Sequence, residues 1–231
     1  MGYIYDARMT LHKNDLYEHA ERPERVKSIH KFNLLRGIFQ KYNWLEIKKC
    51  DSDYLKLLHS ESYLQRHQNI LNKINKYYKV IEKKKQINKQ NSKNKQLNKE
   101  SNNIDDLNNM MKDLKISNDI SLTEDERKLV KLFPEDIHIN FGEDNFENKD
   151  TLEAAILSAS GVKTGLDYMF PNKYNKIKEL NKVFCNIRPP GHHSLGNSKC
   201  QASGFCFFNN IALGAKSVSY THLTLPTISR V

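Results

Sequence analysis

Two adjacent histidines, His192 and His193, are the residues of this sequence best suited to chemistry. Histidine as a residue type titrates near neutral pH, so a pair can take up and return a proton where few other side chains can. They stand in Arg188-Pro189-Pro190-Gly191-His192-His193-Ser194, and eleven residues after His193 a second stretch begins, Gly204-Phe205-Cys206-Phe207-Phe208-Asn209-Asn210. Adjacent loop histidines also serve as solvated side chains or as partners for backbone groups. Their chemistry therefore depends on a scaffold that sets them in a crevice.

The flanking sequence supplies such a scaffold. Lys182-Val183-Phe184-Cys185-Asn186-Ile187 is a short apolar run of strand type, and the two prolines after Arg188 end regular strand pairing because proline donates no ladder hydrogen bond. Open α/β sheets place their ligand crevices just past such a parallel strand. Asp150 is the expected N-cap of a helix, with Glu153 completing a capping box. Leu152, Ala155, Ile156, Ala159, Val162, Leu166 and Met169 then hold one helical face until Pro171. Ala154, Ala155, Ser158, Ala159, Gly161 and Gly165 keep that helix thin enough for close approach to a neighbour. A further helix is expected from about Phe207 to Lys216, giving a βαβ-like rhythm.

Upstream, Pro23 suits a first helical turn, and Val26, Ile29, Phe32, Leu35 and Ile38 predict an amphipathic helix ending near Gly37. Trp44 to Lys48 alternates like a strand. Ser52 is the expected cap of a short helical turn, and Ser60 of a helix carrying Leu64, His67, Leu71, Ile74, Tyr78 and Ile81. His59 and His67 read as structural rather than as ligands. From about Lys83 to Ser121 Asn, Lys and Gln dominate, too polar to offset chain entropy by burial, so this stretch reads as a largely disordered insertion within one domain.

The formal net charge is +10 over 231 residues, and much of the excess lies between Asn72 and Lys115, where twelve lysines face five acidic residues without one arginine. A nucleic-acid surface mixes arginines with stacking rings, so a solvated lysine-rich tract is the expectation. No apolar run is long enough to span a bilayer, and the four cysteines form no CxxC pair.

Arg188-Pro189-Pro190-Gly191-His192-His193 followed by Gly204 to Asn210 resembles the active-site signature of the zinc-dependent histone deacetylase family, and within it the class II branch. His19 to Val26 is similar to that family's HPERPERV opening, with Ala20 where the family has proline. Leu58 to Leu64 is similar to its VHSEEYV segment, and the helix after Asp150 to its YEAALLAAGGV. The resemblance covers most of residues 3–82 and 141–216. It divides the chain into a first part of the domain (1–82), the insertion (83–140), an active-site part (141–216) and a tail (217–231). Within the tail, Tyr220 to Pro226 resembles translated sequencing-adapter sequence and reads as non-native.

The resemblance implies an α/β fold of arginase/deacetylase type, a parallel sheet flanked by helices in three layers, incomplete in this chain. It implies hydrolysis of the acetyl-lysine amide by zinc-activated water, with His193 as general base and His192 as the partner that tunes its charge and position. Gly204 and Phe205 would line the tunnel that grips the acyl-lysine methylenes, and Asp144 would be a rim residue holding the substrate backbone. The family's zinc ligands, an Asp-x-His pair and a later Asp, follow the Phe-Asn-Asn helix, as does its transition-state tyrosine, and none is matched here. Zinc ligands are therefore expected downstream, with no metal-ligating residue and no activity in this chain by itself. Acetylated histone tails or other acetyl-lysine proteins are the implied partners, together with corepressor-type proteins, in nucleus or cytoplasm, without membrane or direct nucleic-acid binding. An acetylpolyamine amidohydrolase, with similar loops, and a catalytically dead interaction module stand as alternatives.

Overall fold

A computed structural model describes residues 1–14, 18–100, 122–127, 139–140, 145–170, 180–194 and 202–222. The chain divides into two units, residues 1–71 with 138–231, and residues 72–137. In chain order its elements are β1 (Gly2–Ile4), α1 (Glu24–Leu35), β2 (Asn43–Trp44), α2 (Ser52–Lys56), α3 (Glu61–Glu100), β3 (Ile139–Asn140), β4 (Phe146–Glu147), α4 (Thr151–Met169), β5 (Val183–Cys185) and α5 (Asn210–His222). Two 3-10 turns, Ala7–Leu11 and Ile38–Lys41, accompany them.

The centre of the first unit is a parallel sheet in the order β2-β1-β5. Gly2, Tyr3 and Ile4 pair with Val183, Phe184 and Cys185 on one side, and Gly2 and Tyr3 with Asn43 and Trp44 on the other. Successive strand side chains face opposite ways, which puts different helices on the two faces. On one, the buried Tyr3 ring stacks with His30 of α1 at 6.1 Å. On the other, Ile4, Leu45 and Leu180 form a core joined by Val183, Cys185 and Ile187. Helix α4 lies on that core through its glycines: a Cβ on Gly161 would stand 3.0 Å from Ile187 Cγ2, and one on Gly165 3.2 Å from Val183 Cγ1. Gly214 of α5 likewise sits against Val162 and Leu166 of α4. The result is the parallel sheet with flanking helices that the sequence implies, here with three parallel strands among the described residues.

Several local expectations need correction. Helix α1 forms and ends at Gly37, whose φ of +62° is the left-handed conformation glycine tolerates. Its buried face, however, is not the apolar row: Val26 and Asn33 are buried, while Ile29, Phe32 and Leu35 are exposed. Polar contacts decide the orientation, because Asn186 Nδ2 donates to the Val26 carbonyl and to Tyr3 Oη, both at 2.9 Å. Of the strand expected over Trp44 to Lys48 only Trp44 lies in β2, which begins one residue earlier at Asn43. Helix α2 is capped by Asp51, whose carboxylate accepts the Tyr54 N–H at 2.9 Å, rather than by Ser52. Ser60 does cap α3, through Tyr63 N–H at 3.3 Å.

At α4 the Asp150 side chain makes no capping bond. Asn148 and Thr151 replace the expected box: Asn148 N–H donates to Thr151 Oγ1 at 2.8 Å, and the Thr151 hydroxyl donates back to Asn148 Oδ1 at 3.0 Å. Glu153 instead pairs with Lys49. Helix α5 starts at Asn210 and runs to His222, three residues later at its start than expected and past Lys216 at its end.

In the second unit α3 continues to Glu100, although composition predicts loss of order from Lys83. Ile74, Tyr77, Val80 and Ile81 are buried. Residues 124–127 are helical behind a reciprocal capping box: Thr123 N–H donates to Glu126 Oε2 at 2.7 Å and Glu126 N–H to Thr123 Oγ1 at 3.2 Å. Lys83 reaches the same carboxylate at 3.0 Å. The rest of the predicted insertion to Ser121 lies outside the described residues. No helix among the described residues is long and apolar enough to cross a membrane.

Candidate active site

Strand β5 delivers the chain to Arg188, a guanidinium with no solvent exposure. A buried charge is costly unless paired and hydrogen-bonded, and here Glu21 answers it in a two-toothed pair, Nε to Oε1 at 3.0 Å and Nη2 to Oε2 at 2.5 Å. Nη1 donates to the Met9 carbonyl at 2.9 Å and also to the carbonyl of His12. The segment before α1 is thereby clamped to the start of the histidine loop.

From there Ser158 of α4 ties both halves of the motif together. Its hydroxyl donates to the Pro189 carbonyl at 2.7 Å and accepts Asn210 Nδ2–H at 2.8 Å. Gly191 is required at its position, since a Cβ there would lie 2.2 Å from Asn210 Cγ. His192 and His193 emerge exposed, ring centroids 4.2 Å apart at 52°. The His192 N–H donates to Cys206 Sγ at 3.4 Å.

The second stretch folds back on itself, Ser203 and Cys206 exchanging backbone bonds at 3.1 and 2.9 Å. This places Gly204 (φ +53°) against the His193 ring, where a Cβ would meet Cδ2 at 2.9 Å. Phe205 also takes a left-handed φ of 67°. Such a conformation in a bulky residue is a strain that the surroundings must hold, and Asn145 Oδ1 holds it by accepting Phe205 N–H at 3.0 Å. His192, His193, Gly204 and Phe205 line an open cleft of about 360 Å³ together with Glu21 and Arg25. Four of the five predicted site residues therefore converge; Asp144 lies outside the described residues.

Sequence reasoning left other parts of the site unassigned. His19 lies with its ring edge-on to Phe205 and Phe146, at 5.1 and 5.0 Å between centroids. His12 is buried, with Nδ1 2.8 Å from Thr151 Oγ1. On α3, Tyr63 Oη donates to the Phe207 carbonyl at 2.6 Å, and His67 Nδ1 lies 2.5 Å from Glu147 Oε1, both groups buried. His59, just before α3, accepts Asn209 N–H on Nε2 at 3.1 Å. For His19, His59 and Tyr63 the available signal was the polar residues of the His19–Val26 and Leu58–Leu64 stretches; His12, His67 and Glu147 lie outside both.

Burial, and secondarily the neighbouring His67, push His59 from its usual 6.5 down to about 4. The native state thus keeps His59 neutral where the unfolded chain already takes up a proton, so the unfolded state binds more protons between these two values. Stability should fall as pH drops from about 6.5 towards about 4, and this contribution should level off below. Denaturant midpoints measured across that range, for wild type and His59→Gln, check it; the variant should show a shallower acid slope.

Among the described residues no three His, Cys, Asp or Glu side chains are grouped to hold a metal ion. A catalytic zinc needs about three protein ligands, so the described residues do not fit one.

Comparison with known proteins places this arrangement. The profile of the histone deacetylase domain matches residues 19–228, reaching past Lys216. Type-2 histone deacetylase 2 of Dictyostelium discoideum is 35% identical over 81 residues, 34% of this chain and 4% of that protein. Histone deacetylase 5 of Arabidopsis thaliana is 26% identical over 216 residues, 93% of this chain and 23% of that protein. The crystal structure of the HDA15 HD domain matches with a TM-score of 0.60 at 17% identity, covering 96% of this chain and 45% of that one, a likeness of fold. The chain thus spans less than half the length of each of these proteins.

Proposed function

Because the chain belongs to the histone deacetylase domain family, we propose that it supplies the proton-transfer and substrate-gripping part of a class II-type site that removes acetyl groups from lysine side chains. The observation that carries this reading is the convergence of His192, His193, Gly204 and Phe205 on one cleft.

In the reaction, water adds to the acetyl carbonyl, the C–N bond breaks, and acetate and the free lysine amine leave. His193 accepts the proton that the attacking water gives up and returns it to the departing amine. His192, its ring 4.2 Å away, orients and electrostatically tunes that partner. Gly204 and Phe205 form a wall for the lysine methylenes, with the bare Gly204 backbone leaving room beside His193. Asp144 is assigned the rim position that holds the substrate backbone. Zinc, the family's cofactor, would polarise the carbonyl and the water; among the described residues no ligand set for it is grouped.

Acetylated histone tails and other acetyl-lysine proteins are the proposed substrates, with a nuclear or cytoplasmic setting and corepressor-type partners. The name of the Dictyostelium relative, a type-2 histone deacetylase, supports the class II assignment. The test compares acetate release from an acetyl-lysine histone peptide and from an acetylated polyamine by the complete deacetylase domain. Faster turnover of the peptide is expected; preference for the polyamine would move the substrate class.

A further inference from the structure

We propose that His59 is a positioning residue for the histidine pair: as the neutral Nδ1–H tautomer it holds the Asn209 backbone N–H on Nε2, and through Asn209 it fixes the chain just after His193. The contact is 3.1 Å long and joins groups 150 residues apart in sequence. A backbone N–H can only donate, so Nε2 must present its lone pair and the ring proton must sit on Nδ1. That Nδ1 is buried and has no hydrogen-bond partner among the described residues. The ring is 2% exposed, stacked on Tyr63 at 5.3 Å and tilted against Phe208 at 5.3 Å. A phenyl or aliphatic side chain would fill this space without burying an unpartnered N–H. What it could not do is accept from Asn209.

Asn209 is the right residue to transmit such a hold. Its Oδ1 accepts Ala212 N–H at 2.9 Å, capping α5, and its Nδ2 donates to the Ser194 carbonyl at 2.8 Å. With the backbone N–H on His59, three polar groups of Asn209 are engaged, leaving its side chain one orientation. Ser194 is held a second time, its hydroxyl donating to the Phe207 carbonyl at 3.1 Å, the same carbonyl that takes Tyr63 Oη–H. His59 and Tyr63 therefore grip two nearby points of one loop, and Ser194, the residue next to His193, hangs from both. The deacetylase reading enters only in what the positioned pair is for; the hydrogen bond and its reach to His193 are testable in the chain as it stands.

The experiment compares wild type with His59→Gln, whose side-chain oxygen can replace Nε2 as acceptor, and His59→Leu, which fills the space without one. Long-range proton–nitrogen spectra of the wild-type chain at pH 7 should show His59 as the Nδ1–H tautomer. Exchange of the Asn209 amide should quicken at least about tenfold in the leucine variant and stay near wild type in the glutamine variant. The His193 ring resonances should move in the leucine variant and not in the glutamine variant. An Nε2–H tautomer in the wild type overturns the proposal even if the leucine variant fails to fold. So does a glutamine variant whose Asn209 amide is no better protected than in the leucine variant, since packing alone would then explain His59. Absence of acetyl-lysine turnover by the wild-type domain would instead count against the proposed function and leave these three readouts intact.

Discussion

Replacing His193 with alanine in a deacetylase domain carrying this sequence is expected to slow acetate release by about 10²- to 10⁴-fold, the usual effect of losing a positioned general base. The loss should appear in kcat with KM little changed, because the proposed role of His193 is proton transfer, while Gly204 and Phe205, the proposed wall for the lysine methylenes, are kept. The variant should also fold normally, since the His193 side chain is exposed and contributes little to the core. Steady-state kinetics on an acetyl-lysine peptide, read beside a thermal melt, separate these outcomes. His192→Ala should cost less, as its proposed part is to tune its neighbour.

The largest structural effect should come from Arg188→Met. The substitution takes from the buried Glu21, 1% exposed, its closest guanidinium, leaving only the half-exposed Arg25 guanidinium at 3.4 Å, and strips donors from the Met9 and His12 carbonyls. Breaking a buried ion pair on one side costs about 3–5 kcal/mol because an uncompensated charge remains inside. Denaturant unfolding measures it. Adding Glu21→Leu to the same chain should recover part of the loss by removing that charge, while the two carbonyls stay unanswered. A single variant as stable as wild type would show that Arg188 and Glu21 do not form the clamp described.

The way the site is built explains which parts of it could be read from sequence. Helix α4 was legible because its periodic face and its small residues, Gly161 and Gly165, state both its conformation and how closely it must approach β1 and β5. The histidine loop was legible because residue types and spacing carry it. What escaped is pairing across long separations. Nothing near Arg188 in sequence announces Glu21, 167 residues away, nor does His67 announce Glu147, 80 residues away. Helix α1 misled for a related reason: its apolar row Ile29, Phe32, Leu35 is real, but Asn186 and Tyr3 fix the polar side of the helix to the sheet. The cap of α4 was missed because Asn148 and Thr151 bond to each other and to the Asp150 N–H, a local side-chain network that residue types alone do not announce, while the Asp150 side chain makes no capping bond. In α3 the polar composition hid a helix, since Lys, Gln and Glu keep good helical propensity where glycine and proline are absent.

The most direct measurement is acetate release from an acetyl-lysine histone-tail peptide by the complete deacetylase domain at neutral pH. Sustained release by the wild type, and near-complete loss in a folded His193→Ala variant, is the expected result. A folded wild-type domain that binds the peptide but frees no acetate, or a His193→Ala variant that keeps wild-type turnover, would contradict the role assigned to the histidine pair.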